Sequence, residues 1–343
     1  MPLLLLLLIP AWPAIASQDS LHNDAIRKFR NGIILGPVMK YRYPSIVFTG
    51  PVKDFNRMVF RPNSNLVAGF RINIFGINLE SARSLTQGFR DPDRYGTTKA
   101  RDLTFNTMQR RWFGDLQFTR YNGLYYRKSW QSAPDLVTPA REDLRIRNNS
   151  LSFTWIFNPE RFSYRGAFLF MEQQVRSAGS PLLRVSVSST GFTGTDPLLG
   201  DPDVVNFPGM EQVTGIHHTA LGIAPGYSYT WVWKDFFING TLVAGAAHYW
   251  ARYEQAGKPD RYDIQFNFVS TLGMAAGYNG NKWFAGITYR GQGFRLKRDN
   301  IQITGSQNAF NILAGIRLLE RGIFTKRAND LKGLIPDRAG IIK

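Results

Sequence analysis

Residues 261–291 read RYDIQFNFVSTLGMAAGYNGNKWFAGITYRG, and large apolar residues alternate with small or polar ones along them. From Ile264 to Tyr278 the even positions carry Ile, Phe, Phe, Ser, Leu, Met, Ala and Tyr, whereas the odd positions between them carry Gln, Asn, Val, Thr, Gly, Ala and Gly. Successive side chains of a strand point to opposite faces, so this period of two predicts a strand with one apolar face. Asn279-Gly280 favours a tight hairpin turn before a second alternating run that starts at Trp283. The stretch therefore predicts a β-hairpin whose apolar face lies either in a soluble core or in lipid.

Similar alternation covers most of the chain after residue 40, and short connections alternate with long ones. That order is typical of outer-membrane barrels, which have tight periplasmic turns and longer external loops. If 181–190 belongs to a long external loop at 175–217, about twelve spanning strands remain and both ends of the barrel face the periplasm. The sequence thus predicts an all-β fold, an antiparallel transmembrane β-barrel of about 12 strands, with roughly 10–14 allowed. The predicted strands are 41–49, 65–73, 76–82, 102–111, 114–125, 146–157, 162–174, 181–190, 218–232, 236–251, 262–278, 281–294 and 303–318.

The aromatic residues of 226–237 (GYSYTWVWKDFF) indicate which face of the wall meets lipid. The odd positions from Tyr227 to Trp233 carry Tyr, Tyr, Trp and Trp, whereas the even positions between them carry Ser, Thr and Val. Both Trp residues lie close to the predicted turn at Lys234-Asp235, as the aromatic girdle of a membrane barrel would. A soluble lipocalin-like barrel would instead place its large residues around an internal ligand. We therefore expect the large face to meet lipid and the small polar face to line the lumen.

The first residues predict export. The chain opens MPLLLLLLIPAWPAIASQDS, in which an apolar run from Leu3 to Ile9 precedes the small-residue cleavage signal Ala14-Ile15-Ala16. This pattern is typical of a secretory signal peptide that is removed before Ser17. The sequence then divides into a signal peptide at 1–16, an N-terminal periplasmic segment at 17–40, the barrel at 41–318 and a basic C-terminal tail at 319–343.

The amino-acid composition limits the chemistry of the protein and the classes of partner that it is expected to bind. The 343 residues carry a net charge of +17 and include no cysteine, which excludes disulfides and thiolate chemistry. The positive charges form no Lys/Arg run and are not interleaved with stacking aromatics, so nucleic acid is not expected as a partner. An exported basic barrel is expected to meet outer-membrane lipid, lipopolysaccharide and the barrel-assembly machinery of a Gram-negative bacterium. The oligomeric state stays open.

Four stretches carry a family resemblance: FRPNSNLVAGFRINIFGINLE (60–80), YGTTKARDL (95–103), NPERFSYRGAFLFMEQQVRSAGSPLL (158–183) and GYSYTWVWKDFFING (226–240). The most specific part is Phe162-Ser163-Tyr164 followed by Glu172-Gln173-Gln174 and Ser177-Ala178-Gly179-Ser180. From about residue 40 to 318 the chain resembles a bacterial family of predicted outer-membrane barrels, the domain of unknown function numbered 4421. The resemblance implies a barrel in the cell outer membrane, and it brings no activity, substrate or site residue. The tail after 318 departs from barrels that end on an aromatic residue, so either the final strand is recognised internally or the tail is an added periplasmic segment.

Candidate catalytic groups are few. The histidines are His22, His217, His218 and His248, and Ser228 and Ser270 lie on nearby predicted strands. A rim His–Ser pair could activate a hydroxyl against an ester if a carboxylate oriented the histidine. Adjacent histidines on one strand point to opposite faces, which argues against joint metal ligation. The spacing marks no such pair, and we assign no catalytic, cofactor-binding or metal residue and no cofactor.

Charged residues offer two further hypotheses. Residues 191–216 contain only acidic charges, which could hold a calcium ion but are more typical of a solvated acidic loop. Arginine in the middle of a strand is costly in lipid, so such residues are expected to face the lumen, with Glu172 or Asp263 as partners. They would form either a structural plug of ion pairs or an anion-selective pore lining. The acidic residues are Asp196, Asp201, Asp203 and Glu211, and the arginines are Arg71, Arg165, Arg290 and Arg317.

These observations favour a non-enzymatic outer-membrane β-barrel protein that is structural or forms a narrow channel. The first alternative is an outer-membrane barrel hydrolase that modifies lipid or lipopolysaccharide. The second alternative is a soluble exported β-protein that binds polyanions.

Overall fold

The protein is built almost entirely of antiparallel strands. The structure, a computed structural model, describes residues 25–29, 34–51, 57–74, 77–85, 91–129, 136–200 and 203–317. Within these ranges no helix is long and apolar enough to cross a membrane. The strands are β1 (Ile26–Lys28), β2 (Ile34–Arg42), β3 (Ser45–Thr49), β4 (Arg57–Arg61), β5 (Leu66–Ile74), β6 (Ile77–Ser84), β7 (Lys99–Met108), β8 (Trp112–Ser129), β9 (Leu136–Ile156), β10 (Glu172–Gln174), β11 (Ala178–Thr193), β12 (Val213–Trp233), β13 (Phe236–Gln255), β14 (Arg261–Asn279), β15 (Trp283–Arg298) and β16 (Ile301–Arg317). The helices are α1 (Pro92–Tyr95), α2 (Tyr164–Leu169) and a 3-10 turn at Asp203–Asn206.

Twelve strands close into a ring: β2, β5 to β9 and β11 to β16. The ring closes at β16, which pairs with β15 on one side and with β2 on the other. Short turns join β7 to β8, β12 to β13 and β14 to β15 at one end of the barrel, which we call the turn end. The opposite end carries the connection 194–212 between β11 and β12, and we call it the loop end. The antiparallel transmembrane β-barrel of about twelve strands is therefore confirmed.

The set of strands that forms the wall changes near the loop end. There the hairpin β3–β4 enters the sheet between β16 and β8. β16 pairs with β2 over 309–317 and with β3 over 302–306, while β8 pairs with β7 up to Asn122 and with β4 from Tyr125. The hairpin thus takes the place of four shorter strands, β2, β5, β6 and β7, and the barrel narrows toward the loop end.

The large apolar face of the wall points outward. Leu272 is 38% exposed, whereas its strand neighbour Thr271 is 9% exposed and faces the lumen. Trp231 and Trp233 are also exposed and lie beside the turn at Lys234-Asp235. A soluble β-protein would bury such a band, so the wall contradicts the soluble alternative.

The structure differs from the expected set of spanning strands at two places, and the two differences cancel in the strand count. Residues 162–174 do not span the barrel: they form α2 and the short strand β10, which pairs with β1 instead of joining the ring. Residues 181–190, a predicted strand whose spanning or external placement the sequence left open, belong to the spanning strand β11. One strand was lost and one gained, so the predicted number survived. The wall also begins earlier than the expected boundary at 41, because β2 starts at Ile34.

Candidate functional site: the closed lumen

A plug fills the lumen at the turn end. After β9 the chain turns inward and forms α2, whose first turn is capped because the Ser163 hydroxyl accepts a hydrogen bond from the Gly166 N–H at 3.0 Å. The aromatic residues that follow are buried: the Phe170 ring lies 5.2 Å from that of Phe284 and 5.5 Å from that of Phe237. Glycines on the wall leave room for them, since a Cβ at Gly273 would lie 3.2 Å from the Phe168 ring. We call residues 157–177 the plug.

Polar side chains within the plug form hydrogen bonds and an ion pair with one another. The Ser163 hydroxyl donates to Glu172 at 2.6 Å, and the Glu172 carboxylate also pairs with Arg165. The Gln174 side chain accepts from the Ser163 N–H at 2.8 Å and donates to the Arg161 carbonyl at 2.6 Å. Ser163, Glu172 and Gln174 all belong to the motif that carried the family resemblance. The motif therefore encodes the internal bonding of the plug.

Arg317 fastens the plug to the wall. It lies at the end of β16, and its guanidinium donates to the Phe170 carbonyl at 2.6 Å and to Asn279 Oδ1 at 2.5 Å. Asn279 in turn donates to the Glu172 carbonyl at 2.8 Å. Because carbonyl oxygens buried without partners are costly, these bonds make the plug part of the barrel rather than a loose loop.

A network of ion pairs, which we call the ion-pair layer, lines the lumen on four neighbouring strands. Lys40 Nζ lies 2.7 Å from Glu80 Oε2 and 2.9 Å from Asp102 Oδ1. Arg71 pairs with the other Glu80 oxygen at 2.6 Å, and Arg42 pairs with Asp102. Nearly all of these side chains are buried, with Lys40 only 1% exposed. The cross-linked charges join β2, β5, β6 and β7 from the inside.

Of the four arginines that were predicted to face the lumen from a strand, two do so in the middle of the wall. Arg71 and Arg290 do face the lumen, where Arg290 pairs with Asp115 at 2.5 Å. Arg317 is buried at the turn end, and Arg165 lies on α2 and not on a strand. The expected partner Glu172 pairs with Arg165, whereas Asp263 accepts from Gln265 at 2.6 Å. Arg71, Arg165 and Arg290 are therefore paired with carboxylates, whereas Arg317 donates to uncharged oxygen atoms.

Two small cavities lie inside the barrel. One cavity of about 60 Å³ lies among small and hydroxylic side chains of β9, β11 and β12, and a second of about 70 Å³ borders the ion-pair layer. Each has room for only a few water molecules. Arg184 borders the first cavity, and Lys40 borders the second.

An apolar cap closes the loop end. Leu198, Leu199, Phe207 and Met210, from the connection between β11 and β12, are buried against the inner wall. Arg141 holds this connection by donating to the Pro197 carbonyl at 2.6 Å. Asp143 accepts from the Thr195 N–H at 3.0 Å. We call residues 194–213 the cap.

The wall is weakest between β14 and β15 near the loop end. Their backbone pairing runs from Asn279↔Phe284 to Ser270↔Gly293 and ends there, although both strands continue. Side chains bridge the remainder: Gln265 accepts from the Lys297 N–H at 2.9 Å, and Asn267 donates to the Arg295 carbonyl at 2.9 Å. We call this part of the wall the seam. The cavity of about 60 Å³ begins directly beside it, at Ser270 and Gly293.

The histidines are spread over both faces. His217 is on the outer face, with Nε2 3.1 Å from Glu254 Oε1. His218 is buried in the lumen with its ring 4.1 Å from Phe294, and His248 lies against Trp250. The candidate Ser228 hydroxyl shares a hydrogen bond with Thr241 at 2.6 Å, and Ser270 borders the same cavity as His218. In the described ranges no hydrogen bond joins a histidine to a serine hydroxyl, and His22 lies outside those ranges.

Two of the four acidic residues in the cap, Asp196 and Glu211, have side chains that the structure describes. Glu211 accepts from the Gly209 N–H at 2.9 Å, and backbone hydrogen bonds lower the pKa of its exposed carboxyl. Asp196 contributes its backbone carbonyl to Arg141 at 3.3 Å. Asp201 and the side chain of Asp203 lie outside what the structure describes. Across the described residues there is no group of three or more His, Cys, Asp and Glu that could hold a metal ion.

Comparisons with known proteins give a family and a set of distant structures. The sequence model of the family described as Domain of unknown function (DUF4421) matches residues 22–317. Among curated proteins no match to this sequence was found.

Similar solved structures include outer membrane protease OmpT from Escherichia coli, at 7% identity and a TM-score of 0.38, covering 88% of this chain and 99% of that one. The attachment invasion locus protein Ail of Yersinia pestis is 9% identical with a TM-score of 0.21, covering 84% of this chain and 100% of that one. The Pseudomonas putida toluene transporter TodX is 6% identical with a TM-score of 0.27, covering 83% and 89%. All three proteins are too distant for their activities to be transferred to this chain, whose function has to be inferred from its own geometry.

Proposed function

The chain belongs to the family described as Domain of unknown function (DUF4421), and from that premise we propose that it is a non-enzymatic outer-membrane barrel with a closed axis, structural in role. One observation carries the proposal: the plug fills the turn end of the lumen, the cap closes the loop end, and buried ion pairs line the wall between them. A pore for solutes would instead need a continuous polar path, as porins have.

The geometry of the two ends supports this location and orientation. Short turns are typical of the periplasmic side of an outer-membrane barrel, and long connections are typical of the external side. On that rule the plug faces the periplasm and the cap faces outward. β1, which pairs with β10 of the plug, then lies on the periplasmic side.

Electrical recording tests the closed axis. We expect the purified barrel, inserted into a planar lipid bilayer in symmetrical salt, to give no step conductance above the bare membrane. The physical reason is that the plug and the cap close opposite ends of the axis. Arg317→Gln, which removes donors that hold the plug, should therefore stay silent as well. Steady conductance steps from the unaltered protein would contradict the structural role.

The seam is the specific observation that favours a narrow channel instead. Backbone ladders are replaced there by side-chain hydrogen bonds from Gln265 and Asn267, which are easier to break. Opening the seam would connect the cavity of about 60 Å³ sideways to lipid. Conductance or solute flux that appears in a Gln265→Ala, Asn267→Ala double variant, and at a lower level in the unaltered protein, would support this alternative.

The hydrolase alternative is tested at the histidines. We expect His217→Asn, His218→Asn and His248→Asn to leave the cell's lipid profile unchanged, because the structure joins none of these residues to a serine hydroxyl. Lipid extracts of cells that carry each variant would be compared by mass spectrometry. Heat-dependent gel mobility would confirm that each variant is folded. Loss of a deacylated lipid in one folded variant would favour the hydrolase.

A further inference from the structure

A row of arginines crosses the outer face of the wall. The strand register places Arg83 opposite Arg101, Arg101 opposite Arg120, and Arg120 opposite Arg147. Two more cations lie one outward position nearer the loop end, where the register places Lys99 and Arg145 on either side of Asn122. We call these six residues the basic patch: Arg83, Lys99, Arg101, Arg120, Arg145 and Arg147.

The patch is not neutralised by the protein. Over the residues that the structure describes, none of its six side chains has a carboxylate partner. The charged groups that bear on Arg120 are Arg147, Arg145 and Arg101, all of one sign. Arg252, at the same register position on β13, instead donates to Glu254 at 2.6 Å. Like charges placed opposite each other on neighbouring strands destabilise a sheet, so the row indicates an anionic ligand that offsets the repulsion.

The patch lies at the edge of the apolar band. Eight residues separate Arg120 from Trp112 at the turn end of β8, a height of about 20 Å at a rise of ~3.3 Å and a tilt of ~40°. Because the apolar band of such barrels is about 25 Å tall, the backbone at this level lies about 5 Å inside its far edge, a distance that a long arginine side chain spans to reach the headgroups of the far leaflet. Leu103 and Phe118, both exposed, lie directly on the turn-end side of the row.

The arginines also border a depression in the wall. An open groove of about 450 Å³ is lined by Arg83, Arg101, Arg120 and Arg147 on one side and by Leu103 and Phe118 on the other. The groove is therefore cationic toward the loop end and apolar toward the middle of the membrane. An amphiphile with an anionic headgroup and hydrocarbon chains has the complementary shape and charge.

We propose that the basic patch binds the phosphates of a lipid of the lipopolysaccharide class in the outer leaflet. Guanidinium groups bind phosphate oxygens in pairs, with strong charge-assisted hydrogen bonds. Four neighbouring strands at ~4.8 Å spacing make the row about 14 Å wide, which suits a headgroup with two separate phosphates. The acyl chains then lie along Leu103 and Phe118. The site depends on the proposed location, because such lipids face the loop end only in the outer membrane.

Binding of bisphosphorylated lipid A to the full-length barrel in detergent tests the site. We expect Arg101→Gln with Arg120→Gln to weaken binding at least about tenfold, because both central phosphate donors are lost. Lipid A should also raise the unfolding temperature of the unaltered protein but not that of the double variant. Without lipid the double variant should be at least as stable, since a repulsion is removed. Arg83→Gln with Arg147→Gln repeats the test with other donors.

A matched control variant distinguishes loss of the basic patch from the general effect of removing an outer-face arginine. Arg252→Gln removes an outer-face arginine that already has a carboxylate, so it should bind lipid A as the unaltered protein does. The site would be overturned if both double variants bound lipid A as tightly as the unaltered protein does. Displacement of lipid A by inorganic phosphate or phosphatidylglycerol at the same concentration would overturn the lipid class. Cell fractionation tests the location separately. Protein found outside the outer membrane would refute the proposed function. The binding measurement on the purified protein would still show whether the basic patch binds lipid A.

Discussion

Replacing Glu80 by Gln is expected to lower the free energy of unfolding by about 3–5 kcal/mol. Glu80 is the acceptor between two cations, since Arg71 lies 2.6 Å from one carboxylate oxygen and Lys40 lies 2.7 Å from the other. Glutamine keeps the shape of the side chain but removes its charge, so both cations lose a neutralising partner at a buried site. Such a loss is a large part of a typical stability of about 5–15 kcal/mol.

The measurement is a urea titration of the purified barrel in lipid, followed by tryptophan fluorescence and heat-dependent gel mobility. Glu142→Gln is the matched control, because it makes the same chemical change at an exposed position of β9 and should shift the midpoint little. Equal effects of the two substitutions would show that the ion-pair layer is solvated and contributes little to stability.

The fold was predictable where one face of a strand differs strongly from the other. The alternation from Ile264 to Tyr278, with the turn after it, predicts β14 and β15 and the faces of both. The same rule failed at the plug for a physical reason. Phe162, Tyr164, Phe168 and Phe170 all occupy even positions, which imitates a strand, although the side chains are buried inside the lumen. The signal against a strand was local: Ser163 is a good helix N-cap, and it precedes a run that includes Gly166.

The interior of the lumen was less predictable than the wall. Mid-strand arginines indicated lumenal charge, but their partners depend on the register between strands, which sequence periodicity does not give. Lys40 was placed in a periplasmic segment, although it lies on β2 at the centre of the ion-pair layer. The basic patch was missed because its arginines lie far apart in sequence and become neighbours only through three strand pairings.

The wall and the lumen depend on each other through this register. A shift of one residue between β6 and β7 would move Asp102 out of the lumen and Arg101 into it. The inner ion pairs and the outer basic patch would then be lost together. The buried carboxylates of Glu80 and Asp102 thus fix the alignment that presents Arg83 and Arg101 to the outer surface.

The largest effect expected from the outer face is at Leu272, in the middle of β14. Leu272 faces outward and Thr271 faces the lumen, so the two positions share a depth in the membrane but differ in environment. Leu272→Arg places a charge near the centre of the hydrocarbon, which costs about 2–4 kcal/mol. We expect poor insertion of this variant into lipid vesicles and a lower midpoint in urea.

Thr271→Arg is the matched control for that substitution. Its side chain enters the cavity of about 60 Å³, where Gln292 and Gln307 offer polar atoms, although Arg184 borders the same cavity and the free volume is small. The loss should therefore be smaller than for Leu272→Arg, and insertion should still occur. Equal losses would indicate that crowding in the lumen costs as much as charge in lipid. A larger loss for Thr271→Arg would mean that the outer face of β14 is solvated, and the membrane-spanning placement of this wall would be refuted.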